Sequence, residues 1–272
     1  MNKFPVCPIF IPANRLEWVE KTFDKGADAV IIDLEDSVPK EQKDETRTNL
    51  FSYLDSHEFE KTILIRVNPV EGEFGKEDMN ILSEVFSKID AFMLPKIEQT
   101  RLLNDLPDNL IALIETPKSI QNLEEIASHK NVIGIALGGA DLSASLGSDM
   151  SWDSLLFTRS KIIIEAAANN LFTIDSPFMN IEDISSLENE SVLSNGLGFD
   201  GKAAIHPNQI ETITKSFLPN ESDIQEAKEI IKLFKSSSEA VMTYEGKMVD
   251  MPIVLSMEKR LRLVGIDPKN ID

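Results

Sequence analysis

The 272-residue chain has one cysteine, three histidines and 27 basic residues against 46 acidic ones. Each scarcity excludes something. A lone Cys7 permits no internal disulfide, and its place in the apolar run VCPIFIP reads as a buried, inert thiol. Three scattered histidines and one cysteine give no cluster suited to zinc. His57 and His129 fall in helical or linker stretches expected to be exposed, and His206 stands alone at an expected strand end. The net charge of −19 repels nucleic-acid phosphates and anionic lipid. It does not exclude a small anionic ligand, because a few Arg or Lys residues can reverse the field inside a pocket. No apolar run approaches the ~20 residues needed to cross a bilayer. The opening MNKFPVCPIFIP, interrupted by Pro5 and Pro8, lacks the form of a leader or span, so a soluble, cytoplasmic protein is expected. Neither GxxxxGK[ST] nor GxGxxG occurs, and there is no low-complexity segment.

What is present is a regular alternation. Hydrophobic residues make up 42% of the chain, enough for a sizeable core. Eight short apolar runs occur: CPIFIP (7–12), AVIIDLED (29–36), TILIRVN (62–68), AFMLPK (91–96), LIALIET (110–116), VIGIALGGADL (132–142), LFTIDSPF (171–178) and GKAAIHP (201–207). Most lack period-two alternation, as expected of strands covered on both faces in a parallel sheet. The segments between them read as helices. In RLEWVEKTFDKG, Leu16, Val19 and Phe23 form one stripe and Gly26 a stop; RSKIIIEAAA (159–168) is strongly helical. Eight such units predict an α/β fold, a (β/α)₈ TIM barrel over residues 1–215, in preference to a doubly wound sheet. Residues 216–272 form a C-terminal helical or lid extension that the barrel does not need. It should hold a helix near Asp223–Lys235, a tight turn at YEGK (Tyr244–Lys247), a second helix at Met257–Leu263 and a hinge at Ser236–Ser238.

In such a barrel the active site lies at the C-terminal ends of the strands. The runs end in Asn14 and Arg15, Glu35 and Asp36, Arg66 and Asn68, Lys96, Glu115, Asp141, Asp175 and His206. Each alone reads as a solvated loop residue; together they crowd one mouth with ionisable groups. Glu115 and Asp141 end consecutive runs, and neighbouring strands lie roughly 5 Å apart. Two carboxylates that close share a proton or a cation, and hard oxygen ligands suit Mg²⁺. Arg66 behind an apolar run needs an anion. Glu35 or Asp36 would give a structural pair, a substrate carboxylate or developing oxyanion a functional one, and Glu35 could orient Arg66 for the second role. GGADL (Gly138–Leu142) places backbone N–H groups beside Asp141 and lets a ligand or a neighbouring backbone approach closely.

In this order, FIPANR (10–15), ADAVIIDLEDSVP (27–39), IRVNP (65–69), MLPKIE (93–98), ALIETP (112–117), GGADLSASLG (138–147), GFDGKAAIHPNQI (198–210) and GKMVDMPIV (246–254) resemble the citrate lyase β-subunit-like family of the HpcH/HpaI aldolase/citrate lyase superfamily, which includes malyl- and citramalyl-CoA lyases. The resemblance covers nearly the whole chain. It implies a TIM barrel that assembles as a homo-oligomer, a trimer or hexamer, and cleaves or forms C–C bonds in malyl-, citramalyl- or citryl-CoA. It implies Mg²⁺ on Glu115 and Asp141, substrate binding by Arg66 and Glu115, and Asp250 as a general acid/base reaching a neighbouring subunit's site. Glu35 is expected beside the substrate; Lys96, Arg15 and Lys202 are candidates for the CoA phosphates. Ala13 and Ala140 depart from the family pattern, and GGADLSASLG approaches that of aldolases acting on free hydroxy-oxo-diacids. A CoA-independent aldolase acting on a free 4-hydroxy-2-oxo acid, and a citrate lyase β subunit active only in a complex, therefore stay open.

Overall fold

The computed structural model describes residues 5–237 and 239–271. Met1–Phe4, at the head of the segment read as no leader, lie outside the described residues, as do Asp272 and Ser238, the last serine of the expected hinge. The chain forms two compact units, Met1–Ile213 and Thr214–Asp272.

In the first unit all eight apolar runs become strands: β1 (Pro8–Pro12), β2 (Ala29–Asp33), β3 (Thr62–Arg66), β4 (Ala91–Leu94), β5 (Leu110–Ile114), β6 (Val132–Leu137), β7 (Phe172–Asp175) and β8 (Gly201–Lys202). They pair in chain order, every pair parallel. The ring closes where Ala204 N donates to Pro8 O and Phe10 N to Ala204 O, both at 2.9 Å. A closed ring leaves no sheet edge. Between the strands run α1 (Trp18–Asp24), α2 (Lys43–Ser56), α3 (Glu73–Leu82), α4 (Pro117–Gln121), α5 (Leu123–Ala127), α6 (Gly139–Leu146), α7 (Trp152–Asn169) and α8 (Ile184–Leu197), followed after β8 by α9 (Ile210–Phe217). Covered on both faces, β2 and β5 are buried at every position, which explains their unbroken aliphatic sequences. Ile31, Leu64, Met93, Ile111, Phe172 and Ile174 fill the barrel interior.

The runs overestimate the strands at their C-terminal ends. GGADL is not strand-end backbone: β6 stops at Leu137 and Gly139 opens α6, so Asp141 sits in a helix's first turn. Pro117 does more than stop β5. It is the first residue of α4, where Thr116 and Ser119 cap each other's backbone N–H groups. His129, expected to be exposed, is half-buried; its Nε2 lies 3.2 Å from Asn104 Oδ1. His57 and His206 are exposed.

The second unit holds α10 (Glu221–Ser236), an antiparallel hairpin of β9 (Val241–Tyr244) and β10 (Lys247–Asp250), and α11 (Met251–Leu263). Glu245 and Gly246 both have positive φ, 46° and 78°, as a two-residue hairpin turn requires. Ala227, Ile230, Ile231, Val249, Val254 and Leu261 make its own core. Among the described residues no helix is long and apolar enough to cross a membrane.

Candidate metal centre

The site begins with a registered pair. Asp33 and Arg66 close the ladder between β2 and β3 as partners. Arg66 Nε and Nη2 grip Asp33 Oδ1 and Oδ2 at 2.7 and 2.8 Å, a bidentate fork. Burial would raise the Asp33 carboxyl, but Arg66's hydrogen bonds and charge hold it below the usual carboxylate range. The partners read from sequence, Glu35 and Asp36, are secondary, at 3.3 and 3.5 Å from Nη1. Asp33 escaped the sequence reading because it lies inside the apolar run. The signal available was its register opposite Arg66, and that needs the pairing of β2 with β3. The Arg66 guanidinium also lies over the Phe10 ring, 5.0 Å from its centroid.

Lys96 follows β4 and links the remaining groups. Its Nζ donates to Glu35 Oε1 at 2.8 Å and lies 3.5 Å from Asp141 Oδ2. Its backbone N–H donates to Glu115 Oε1 at 2.9 Å. To make these contacts Lys96 takes φ 54°, an uncommon conformation for a side chain of this size. Glu35 Oε2 is buried without an aligned hydrogen bond. Burial raises the Glu35 carboxyl, with Arg66 and Lys96 only partly offsetting it. Glu115 is 2% exposed. Burial first, then Glu35 and Asp141, push its carboxyl up to about 8. Gly138 makes this packing possible: a Cβ there would lie 2.5 Å from Glu115 Cβ and 2.6 Å from Oε2.

Arg66, Glu115, Gly138, Gly139, Ala140 and Asp141 line a cavity of about 410 Å³ whose other walls are mainly apolar, with Phe10, Met93, Met150 and Met179 among them. Of the residues read from sequence, the structure brings Arg66, Glu35, Lys96, Glu115 and Asp141 together. Arg15 is exposed beside Trp18, its guanidinium 5.9 Å from the ring centroid, and does not line the cavity. Lys202 is not a phosphate ligand. It is fully buried, and its ammonium is occupied by Asp175 Oδ2 at 2.9 Å, Ser176 O at 2.7 Å and Glu190 Oε1 at 2.7 Å. Asp175 is held from its other side by Arg159 Nε, at 2.9 Å. Asp250, in the second unit, caps α11, accepting from Ile253 N at 3.4 Å.

Among the described residues no group of three or more His, Cys, Asp or Glu side chains is placed to hold a metal. A two-carboxylate Mg²⁺ site completed by water and substrate oxygens needs no third. The donors fit such an ion. They are oxygens, one is buried with its carboxyl pushed toward the neutral form, and the backbone at Gly138 leaves room beside it.

The chain is 32% identical to citrate lyase subunit beta of Haemophilus influenzae, over 90% of this chain and 92% of that one. It is 27% identical to human mitochondrial citramalyl-CoA lyase, over 94% and 84%. Among solved structures it resembles the CitE protein of Mycobacterium tuberculosis in complex with magnesium, acetoacetate and coenzyme A, with a TM-score of 0.82, 28% identity, and 98% of this chain and 100% of that chain covered. The model for the HpcH/HpaI aldolase/citrate lyase family matches residues 7–207, about three-quarters of the chain, and the protein belongs to that family.

Proposed function

We propose that this protein is a Mg²⁺-dependent carbon–carbon lyase that cleaves or forms a 3-hydroxyacyl-CoA such as malyl-, citramalyl- or citryl-CoA, with an oxo acid as the other product. The observation that carries the reading is Glu115: a buried carboxylate, beside two others and shaped into place by Gly138, at the wall of a cavity that Arg66 and Asp141 also line. Glu115 and Asp141 would hold the metal. Bound there, Mg²⁺ would supply Lewis acidity for charge developing on an oxo-acid oxygen.

The chain's own groups do the rest. Arg66, fixed by its fork to Asp33, binds a charged oxygen of the substrate and offsets an enolate. Gly138, Gly139 and Ala140 line the cavity at the start of α6, which no side chain caps, and a helix N-terminus favours a substrate carboxylate. The apolar walls exclude water from the reacting carbons. Asp250 moves the proton at the thioester α-carbon from a neighbouring copy in a homo-oligomer, as the family resemblance suggests. Glu35 orients Arg66 and Lys96.

The test is incubation with Mg²⁺ and a panel of malyl-, methylmalyl-, citramalyl- and citryl-CoA, with detection of free oxo acid. Release from one thioester, abolished by chelator, supports the reading; full activity in excess chelator sinks the metal assignment. Ala140, just before Asp141, favours a second reading as an aldolase acting on a free 4-hydroxy-2-oxo acid. Turnover of such an acid without CoA would establish it. Activity that appears only with partner subunits would instead mark a citrate lyase β subunit.

A further inference from the structure

Lys96 is the only residue described above that touches both proposed metal ligands, and it does so by different atoms. The backbone N–H holds Glu115; the ammonium, 3.5 Å from Asp141, sits among Glu35, Glu115 and Asp141. The backbone contact does not depend on the side chain. The ammonium does what a cation would do there. It offsets carboxylates that would otherwise repel, and its hydrogen bond to Glu35 together with the surrounding negative charge outweighs burial to keep it firmly protonated. It is also free to retreat. The Lys96 and Asp141 side chains are 39% and 43% exposed, whereas Glu35 is 5% exposed. The Lys96–Asp141 contact is therefore the loose one and the Lys96–Glu35 contact the anchored one.

We propose that Lys96 is a positioning residue whose ammonium acts as an internal counter-ion, holding Asp141 beside the backbone-anchored Glu115 until a divalent cation displaces it from Asp141, and thereby setting the affinity of the site for that cation. This inference rests on the assignment of Glu115 and Asp141 as metal ligands. Two positive centres cannot share Asp141 without repulsion, so the lysine competes with the metal even as it preorganises the ligands. A merely structural lysine would, on removal, loosen the ligands and weaken metal binding. A competing one has the opposite sign.

The experiment is calorimetric titration with Mg²⁺ at the same buffered pH for every protein. The proteins are the wild type, Lys96→Met, Lys96→Arg and Asp141→Asn, with Lys88→Met, at a lysine that pairs with the exposed Glu58 and does not line the cavity, as a control for loss of one remote charge. Methionine replaces the stem of the lysine without its ammonium and keeps the backbone N–H to Glu115. Lys96→Met should bind Mg²⁺ roughly tenfold more tightly than wild type, the scale of one modest charge interaction. Lys96→Arg should stay near wild type, Lys88→Met within about twofold, and Asp141→Asn should lose most of the affinity. In thermal melts, Lys96→Met should melt lower than wild type without Mg²⁺ and gain more from adding it. Unchanged or weaker binding in a folded Lys96→Met overturns the proposal while leaving the metal site standing. Wild-type protein that takes up no Mg²⁺, or takes it up equally in Asp141→Asn, overturns the metal assignment and this inference with it.

Discussion

The barrel uses one device twice. At the end of the β2–β3 ladder Asp33 is registered with Arg66, and at the end of the β7–β8 ladder Asp175 is registered with Lys202. What surrounds each pair differs. Asp175 and Lys202 are fully buried and are joined by Arg159 and Glu190, so two acids face two bases, and the Lys202 ammonium has three acceptors. Arg159 is also stacked over Trp152, 4.5 Å from the ring centroid. The Asp33–Arg66 pair is joined by Glu35, Lys96, Glu115 and Asp141. Here five acids, with Asp36 at the exposed edge, face two bases, and Asp33, Asp36, Arg66, Glu115 and Asp141 line the cavity, to which the first cluster contributes only Asp175. The first arrangement is electrically complete. The second has more acids than bases, an excess that a bound cation would offset. Similar strand-end chemistry thus supports structure on one side of the barrel and, by our proposal, catalysis on the other.

The sharpest way to break this comparison is to remove one acid from each cluster. Glu115→Gln should abolish Mg²⁺-dependent turnover, by ~10³-fold or more given that metal charge stabilisation is worth several kcal/mol. Yet it should leave metal-free stability unchanged or higher, because it relieves repulsion from Glu35 and Asp141. Oxo-acid release assays and urea unfolding of the same preparation read both. Full turnover, or a large loss of stability, would erase the distinction. Gly138→Ala should come next, since its Cβ would meet Glu115 at 2.5 Å. The displaced ligand should weaken Mg²⁺ binding by ~10–100-fold, the usual effect of disturbing the support of a metal ligand. Titration calorimetry checks it.

The closed cluster should respond in the opposite sense. Lys202→Met leaves Asp175 buried beside Arg159 alone and should cost about 3–5 kcal/mol by urea unfolding, the range for breaking a buried pair. Protein that remains folded should keep its Mg²⁺ affinity. The pH dependence follows from Asp175. Burial would raise its carboxyl, but Lys202 and Arg159 hold it below the usual range. A lowered native pKa gives stability that is fully present above the unfolded value of ~3.9 and is lost as pH falls through the lower native value. Wild type should therefore lose stability steeply on acidification below about pH 4. Asp175→Asn, already weakened at neutral pH, should have a shallower acid limb in a series of urea melts.

The contrast also marks what the sequence could and could not convey. Eight strands were legible because a strand covered on both faces must be almost wholly apolar, and AVIID, LIALI and VIGIAL have few other uses. Glu115 and Arg66 were legible because a charge closing such a run requires a partner. Asp33 was not, because its role depends on lying opposite Arg66, a matter of register between strands. Lys202 was misread for the related reason that a strand-end lysine looks the same whether it points to a cavity or into Asp175. Asp141 was correctly grouped with Glu115 but set on a strand, since GGADL carries no apolar stripe to announce the helix that begins at Gly139.

The smallest expected effect separates Arg15 from Arg66. Arg66 ends a strand and Arg15 follows one, and both were candidates for binding substrate. Arg66 is held by a bidentate carboxylate and lines the cavity; Arg15 is exposed, rests on Trp18 and lies outside it. Arg15→Ala removes one exposed cation and a stacking contact worth about 0.5–1 kcal/mol, so the melting temperature should move little. It touches none of the groups proposed to react, so kcat should be unchanged. If Arg15 meets the CoA phosphates, KM for the thioester should rise a fewfold and the rise should vanish at high salt, as screening of an exposed charge requires. The measurement is steady-state kinetics at low and high ionic strength. A fall in kcat comparable to that of an Arg66 variant would place Arg15 in the reacting cluster and undo the distinction drawn from the cavity wall.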